Sequence, residues 1–205
     1  MTSRERRIAR AAELEKRVPA AADLLRFYIA IFTARPQEIR AVILREGPPV
    51  LSEAARNHTE PAESFIARVL ARSADPQSAA PKLASARSAC PFCGERPLAA
   101  VLRPEGEGGK RYLLCSLCFT EWEFHRMLCP NCGEENHEKL PVYTTKEFPH
   151  IRVEACDSCR HYLKAIDLTV DGLAVPEVDE IASVALDLWA AENGYTKLVP
   201  NLFEL

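Results

Sequence analysis

The sequence predicts an α+β protein: a helical N-terminal region, two tandem rubredoxin-like (zinc-ribbon-type) metal-binding domains and a C-terminal helix. Three observations predict it. All eight cysteines fall in four C-x-x-C pairs. The stretch that holds them repeats itself. The stretches on either side carry apolar residues at helical spacing.

The N-terminal region, residues 1–80, has no cysteine and is rich in Ala, Leu, Arg and Glu. Residues 3–17 favour a charged helix that breaks near Pro19. Residues 20–34 favour a more apolar one, with Leu24, Leu25, Tyr28, Ile31 and Phe32 near helical spacing. Pro36 is suited to open a third helix through Leu44, ended by Gly47 and Pro48-Pro49. Glu60 to Arg72 reads as a fourth, with Phe65, Ile66, Val69 and Leu70 on one face for core packing. Asp75 to Ser88 is rich in Ala, Ser and Pro, and residues 81–89 are placed as the linker.

The cysteine region is an internal duplication. CPFCGE at 90–95 returns as CPNCGE at 129–134, and RYLLCSLCFTEW at 111–122 aligns with RVEACDSCRHYL at 152–163. This divides it into domain 1 at 90–126 and domain 2 at 127–169. Residues 170–205 form a tail with one expected helix. In it Ile181, Val184, Ala185, Leu188 and Trp189 make a docking stripe, Asp179 caps the start and Asn193-Gly194 ends it.

Within a C-x-x-C turn both sulfurs converge on one ion, and backbone N–H groups inside the turn stabilise their charge. Gly94 and Gly133 follow the second cysteine of their pairs, where the turn calls for positive φ. Pro91 and Pro130 pre-set φ at the start. Two facing turns give a tetrahedral four-sulfur site, suited to zinc or iron. The sequential pairing joins Cys90, Cys93, Cys115 and Cys118 in one site, and Cys129, Cys132, Cys156 and Cys159 in the other. The intervals between paired turns are 21 and 23 residues, room for a hairpin. Each copy of the repeat is then complete; the alternative is an interleaved cross-brace. A region this short is expected to have little core of its own, so the metal would supply much of its folding energy.

Other uses of the cysteines fit less well. Bacterial-type ferredoxins pack their cysteines into closer runs, and a thioredoxin-like site needs one pair in a βαβ setting. His125, His137, His150 and His161 are left over once eight cysteines complete two sites, and read as surface residues or residues beside the ligands. Trp122 and Phe124 read as a screen between metal and water.

Formal net charge is -3. Between residues 90 and 165, ten Lys/Arg stand against eleven Asp/Glu, so no basic excess marks a nucleic-acid binder and none is expected as a partner. No run approaches the roughly 20 apolar residues that span a bilayer, so no stable membrane insertion is expected. The charged N-terminus is not a secretory signal. A cytoplasmic setting follows, where paired thiols point to metal, not disulfides.

The stretches CPFCGERP, LLCSLCFTEWEFHRMLCPNCGE, VEACDSCRHYLKAID and VDEIASVALDLWAAENGYTKLVPNLF together resemble the formate dehydrogenase accessory, or formation, proteins over residues 90–205. The ordered combination C-S-L-C-x-x-E-W, C-x-x-C, E-x-C-x-x-C-x-x-Y-L-K and L-D-L-W-A is specific; a lone C-x-x-C is not. The N-terminal region agrees in type only and is shorter than such proteins lead one to expect. The resemblance implies a role in assembly, acting in the cytoplasm on the catalytic subunit of formate dehydrogenase before export. It implies two iron ions, one per four-cysteine site, with zinc as the alternative. It assigns the eight cysteines as ligands and implies no catalytic residue.

The leading expectation is therefore a metal-containing maturation factor and not an enzyme, responsive to redox state through its thiolates. Glu121, Glu123, Glu134 and Glu135 read as solvated surface, and a filled four-sulfur site has no open position for substrate. A zinc-ribbon nucleic-acid module and a rubredoxin-type electron carrier are the alternative functions.

Overall fold

A computed structural model describes residues 3–34, 38–46, 88–105 and 109–200. The chain begins with α1 (Ser3–Arg17), a 3-10 turn at Pro19–Ala21, α2 (Ala22–Thr33) and α3 (Ile39–Glu46). The break falls at Pro19, whose ring cannot continue α1. Leu25, Tyr28, Ile31 and Phe32 are buried as expected, and Phe27 joins them. The expected opening of α3 at Pro36, the helix at 60–72 and most of the linker lie outside the described residues.

Seven strands then form one sheet. They are β1 (Pro97–Arg103), β2 (Lys110–Cys115), β3 (Glu121–Glu123), β4 (Val142–Thr144), β5 (Ile151–Ala155), β6 (His161–Asp167) and β7 (Thr196–Lys197). Their order is β3-β2-β1-β6-β5-β4, with β7 also paired to β6. Each repeat supplies an antiparallel meander: β1-β2-β3 from the first, β4-β5-β6 from the second. The two are joined by parallel pairing of β1 with β6, Ala99 opposite Lys164 through Leu102 opposite Asp167.

That pairing corrects one expectation. The cysteine region does not lack a core; its two copies share one. Ala100, Leu102 and Leu113 of the first copy pack with Leu163 and Ala165 of the second, and with Leu198 beyond β7. Two half-sheets that share an edge bury what neither buries alone.

The C-terminal region also differs from a single helix. It forms α4 (Pro176–Ala182) and α5 (Val184–Glu192), broken at Ser183, followed by β7. Ile181 and Val184 are buried, but Ala185 and Leu188 face outward, so the stripe does not run through. Gly194 ends α5 as expected, at φ 75°. Asp179 is not an N-cap. It lies inside the first turn of α4, and its carboxylate accepts from the Val175 N–H at 2.8 Å.

Every residue of α4 is buried, including Glu177, Asp179 and Glu180. Arg7 of α1 pairs with Glu177. Arg10 donates to Asp179 at 2.6 Å and to Asp171 at 2.8 Å, and His150 Nε2 meets Asp179 at 2.9 Å. His150 is therefore a buried partner of α4, neither a surface residue nor a neighbour of the sulfurs. A second cluster is formed by Lys164, Glu180, Asp187 and Lys197. Lys164 Nζ lies 3.0 Å from Glu180 and 2.7 Å from Asp187; Lys197 pairs with both acids as well. Two ammonium groups balance two carboxylates, the condition for burying such charges at all. Among the described residues no helix is long and apolar enough to cross a membrane.

Candidate metal centres

Each repeat folds into two turns that face each other. In the first turns the Cys90 N–H donates to Glu95 O at 2.8 Å and the Cys129 N–H to Glu134 O at 2.9 Å. Gly94 and Gly133 have φ of 78° and 77°, as the spacing predicts. In the second turns the Cys115 N–H donates to Thr120 O at 3.0 Å and the Cys156 N–H to His161 O at 2.9 Å. There the left-handed residues are Phe119 and Arg160. Each stands one residue past the second cysteine of its C-x-x-C pair, the place of the glycine in the first turns, a signal that their residue types concealed.

The turns bring the sulfurs together in the sequential pairing. Cys90, Cys93, Cys115 and Cys118 form one cluster, and Cys129, Cys132, Cys156 and Cys159 the other, each with all Sγ atoms within 4.8 Å of one another. In the first, Cys90 to Cys118 is 3.7 Å, Cys93 to Cys115 3.3 Å and Cys93 to Cys118 3.5 Å. In the second, Cys129 to Cys159 is 3.8 Å and Cys132 to Cys156 3.7 Å. A tetrahedral ion bound by sulfur at about 2.3 Å needs sulfurs roughly 3.8 Å apart, so both clusters can hold one.

Backbone N–H groups in the turns favour negative sulfur. The N–H groups of Phe92 and Asn131 donate to Cys90 and Cys129, each at 3.4 Å, and those of Leu117 and Cys118 donate to Cys115. Burial pushes the Cys93 thiol up to about 11 and raises Cys115 and Cys156 as well. Four thiolates in one cluster therefore call for a cation among them. The last cysteine of each cluster behaves differently. Burial opposes ionisation of Cys159, but the Asn131 side-chain amide and the His161 N–H outweigh it and hold the thiol at about 6. Cys118 is also held below its ordinary value, its burial outweighed chiefly by the Thr120 hydroxyl, 3.1 Å from its sulfur.

Trp122 and Phe124 are buried in one apolar cluster with Cys90 and Cys115, which suits them to screen the first site. Cys93 and Cys132 are the exposed members of their clusters. His125 and His137 are exposed. His161 lies beside the second cluster, with Nδ1 2.7 Å from Cys159 O. Glu121 is less solvated than expected, since Arg103 holds it at 2.6 Å. A cavity of about 340 Å³ borders Cys129 and Cys156 and is walled by Arg111, Met127, Val142, Arg152 and Glu154.

Residues 89–126 match the family model "FdhE, central domain" and residues 127–203 match "FdhE, C-terminal domain". A "Protein FdhE homolog" of Aquifex aeolicus is 42% identical over 113 residues, 55% of this chain and 40% of the relative. One of Pseudomonas aeruginosa is 41% identical over 121 residues, 57% of this chain and 39% of the relative. The matched segment thus spans about two fifths of the length of these relatives. The crystal structure of the FdhE protein from Pseudomonas aeruginosa superposes with a TM-score of 0.70 at 25% identity, covering 99% of this chain and 97% of that one.

Proposed function

The chain belongs to the FdhE family, and from that premise we propose that it is a metal-binding accessory protein for the assembly of active formate dehydrogenase. It binds the catalytic subunit of that enzyme in the cytoplasm and does not itself turn over substrate. The observation that carries this reading is the pair of complete four-sulfur clusters inside the segment that matches the family. Iron is the proposed ion at each cluster, with zinc the alternative, and the eight cysteines are the proposed ligands.

When bound, the ion supplies cross-linking of the two turns, not a reactive position. Four sulfurs saturate a tetrahedral ion and leave no site for substrate. The chain's own residues would present the eight sulfurs to the ions, donate backbone N–H groups to Cys90, Cys115 and Cys129, and screen the first cluster with Trp122 and Phe124. Loss of a thiolate to oxidation would release the ion and loosen its turns. A partner surface on those turns would be lost with them, which makes the factor responsive to redox state.

The test is deletion of the gene, measurement of formate dehydrogenase activity, and complementation. Activity should fall in the deletion and return with the wild-type chain. It should return poorly with Cys129→Ser/Cys132→Ser. Normal activity in a deletion host with no second such gene would refute the assembly role.

A further inference from the structure

The second meander is covered unevenly on its two faces. Tyr143 of β4 and Val153 of β5 turn to one face and pack with Trp189 of α5 and with Tyr195. Strand residues alternate, so Val142 and Glu154, opposite each other in β4 and β5, turn to the other face. There they line the cavity of about 340 Å³ that borders Cys129 and Cys156 of the second cluster. Leu140, Leu163 and Leu198 make part of its lining apolar. Met127 and Val142, also in the lining, are 42% and 53% exposed. Three arginines, Arg111, Arg126 and Arg152, stand there against one carboxylate, Glu154. Arg111 and Arg152 share that carboxylate, at 2.8 Å and 2.9 Å. β4 is the end strand of the sheet on this side and has β5 as its one neighbour among the described residues.

We propose that this groove docks an extended segment of the partner polypeptide, laid along β4, with an apolar side chain in the cavity and a carboxylate two residues away. The proposal rests on the accessory reading above and states which chemistry of the catalytic subunit the chain would grip. An apolar residue fits because Met127 and Val142 lie open to water beside an apolar cavity, and seating one removes all of that surface from water. A carboxylate fits because one glutamate against three guanidinium groups leaves two positive charges in the lining; a lysine or arginine there would meet its like. The spacing follows from the strand. Residues two apart share a face and lie about 7 Å from each other, so one can fill the cavity while the next meets Arg126 or Arg152. A strand fits because β4 is paired on one side, and an added strand takes up its open edge while alternate side chains enter the pocket. β4 is only three residues long, so the backbone pairing is short and the side chains set the choice of segment.

The test uses the full chain isolated without oxygen, the purified catalytic subunit of formate dehydrogenase from the same host, and synthetic peptides that tile that subunit. Peptides that bind should carry an apolar residue two positions from Asp or Glu, and should slow amide exchange in β4. Lysine in place of that acid should weaken a peptide about tenfold or more. Val142→Asp and Met127→Glu should each weaken the subunit and the peptide by about tenfold. Val142→Thr and Met127→Gln, milder changes at the same exposed positions, should cost about threefold and serve if a charged variant does not fold. Val170→Asp and Leu188→Asp replace apolar residues away from the groove that are 57% and 55% exposed. They should change binding by less than about twofold. Equal losses from groove and control variants, or binding confined to basic peptides, overturn the proposal and leave the accessory reading in place. A dimer of the chain that Val142→Asp dissociates would assign the groove to a second copy, and peptide binding seen only in a chain cut after Pro200 would assign it to residues 201–205; either overturns the proposal. A catalytic subunit that does not bind the wild-type chain overturns both.

Discussion

Phe119 and Arg160 hold the same backbone position, one residue past the last cysteine of each cluster, in the left-handed conformation at φ of 56° and 57°. A glycine would sit there without strain, and a larger residue costs on the order of 1 kcal/mol. Each side chain has a use that glycine lacks. The Phe119 ring lies under the Arg7 guanidinium at 4.9 Å and so meets α1. Arg160 stacks on Tyr195 at 4.0 Å and donates to Asn193 O at 2.7 Å, in the turn before β7. The strained residue of each cluster thereby ties it to a different helical part of the chain.

Replacing these residues by glycine should separate strain from docking. Both Phe119→Gly and Arg160→Gly should retain two metal ions. Amide exchange should accelerate in α1 for the first and at residues 193–197 for the second. Global stability of Arg160→Gly should change by less than about 1 kcal/mol, because relieved strain offsets contacts made by a half-exposed side chain. Loss of an ion from either variant would contradict this division of roles.

The glycines themselves differ in what an added Cβ would meet. At Gly133, φ is +77° and nothing lies within 4 Å, so Gly133→Ala bears only backbone strain, about 1–2 kcal/mol. At Gly109, φ is +71° and the new carbon would lie 2.8 Å from the Arg103 carbonyl oxygen at the end of β1. Gly109→Ala should therefore cost clearly more in denaturant melts, although Gly133 is the one beside a cluster.

The buried charges make an acid prediction. Burial opposes ionisation of Glu180, but Lys164 and Lys197 outweigh it and hold the carboxyl at about 2. A carboxyl lowered on folding stabilises the protein fully above its unfolded value and loses that contribution as pH falls through the folded one. Stability should thus decline between about pH 4.5 and pH 2 on this account. In Lys164→Met the decline should begin at higher pH, and stability at pH 7 should drop by about 3–5 kcal/mol, since two buried carboxylates then share one ammonium group. Thiolate protonation acts on both chains alike, so the difference between their acid melts isolates the network.

Protein isolated without oxygen should carry about two ions per chain by elemental analysis, and a fully folded chain with none would sink the metal reading. Chelation should lower the melting temperature and speed amide exchange in the four turns. It should not erase the helical circular dichroism of α1 and α2, because their buried apolar side chains pack with α3, α4 and one another.

The clusters were legible because spacing alone determines them: four C-x-x-C pairs, repeated in order, permit few arrangements, and the geometry follows the simplest. The helices at Leu25 to Phe32 were legible for the same reason, a period that survives in the fold. The joined sheet was not. Nothing local in PLAAVLR or HYLKAID tells β1 to pair with β6, because such partners are chosen across sequence distance. Nor did PEVDEIA look like a core helix. Its acids match a solvated face, and only the cations of α1, β6 and β7 make them internal. Asn131 reads as a turn residue, and its bond with the Arg96 side chain depends on how the two copies meet.

The parallel pairing of β1 with β6 has a consequence for how the chain is made. Ala99 waits for Lys164, which is synthesised long after it, and β6 in turn is completed by β7 near residue 197. Contacts of such sequence separation slow folding, and a ribosome releases them late. Until then the first meander presents an open strand edge, the kind that recruits other chains. A fragment ending at residue 126 should for that reason aggregate even with its cluster metallated, and a circular permutant that begins at the second copy should acquire its sheet in a different order from the natural chain.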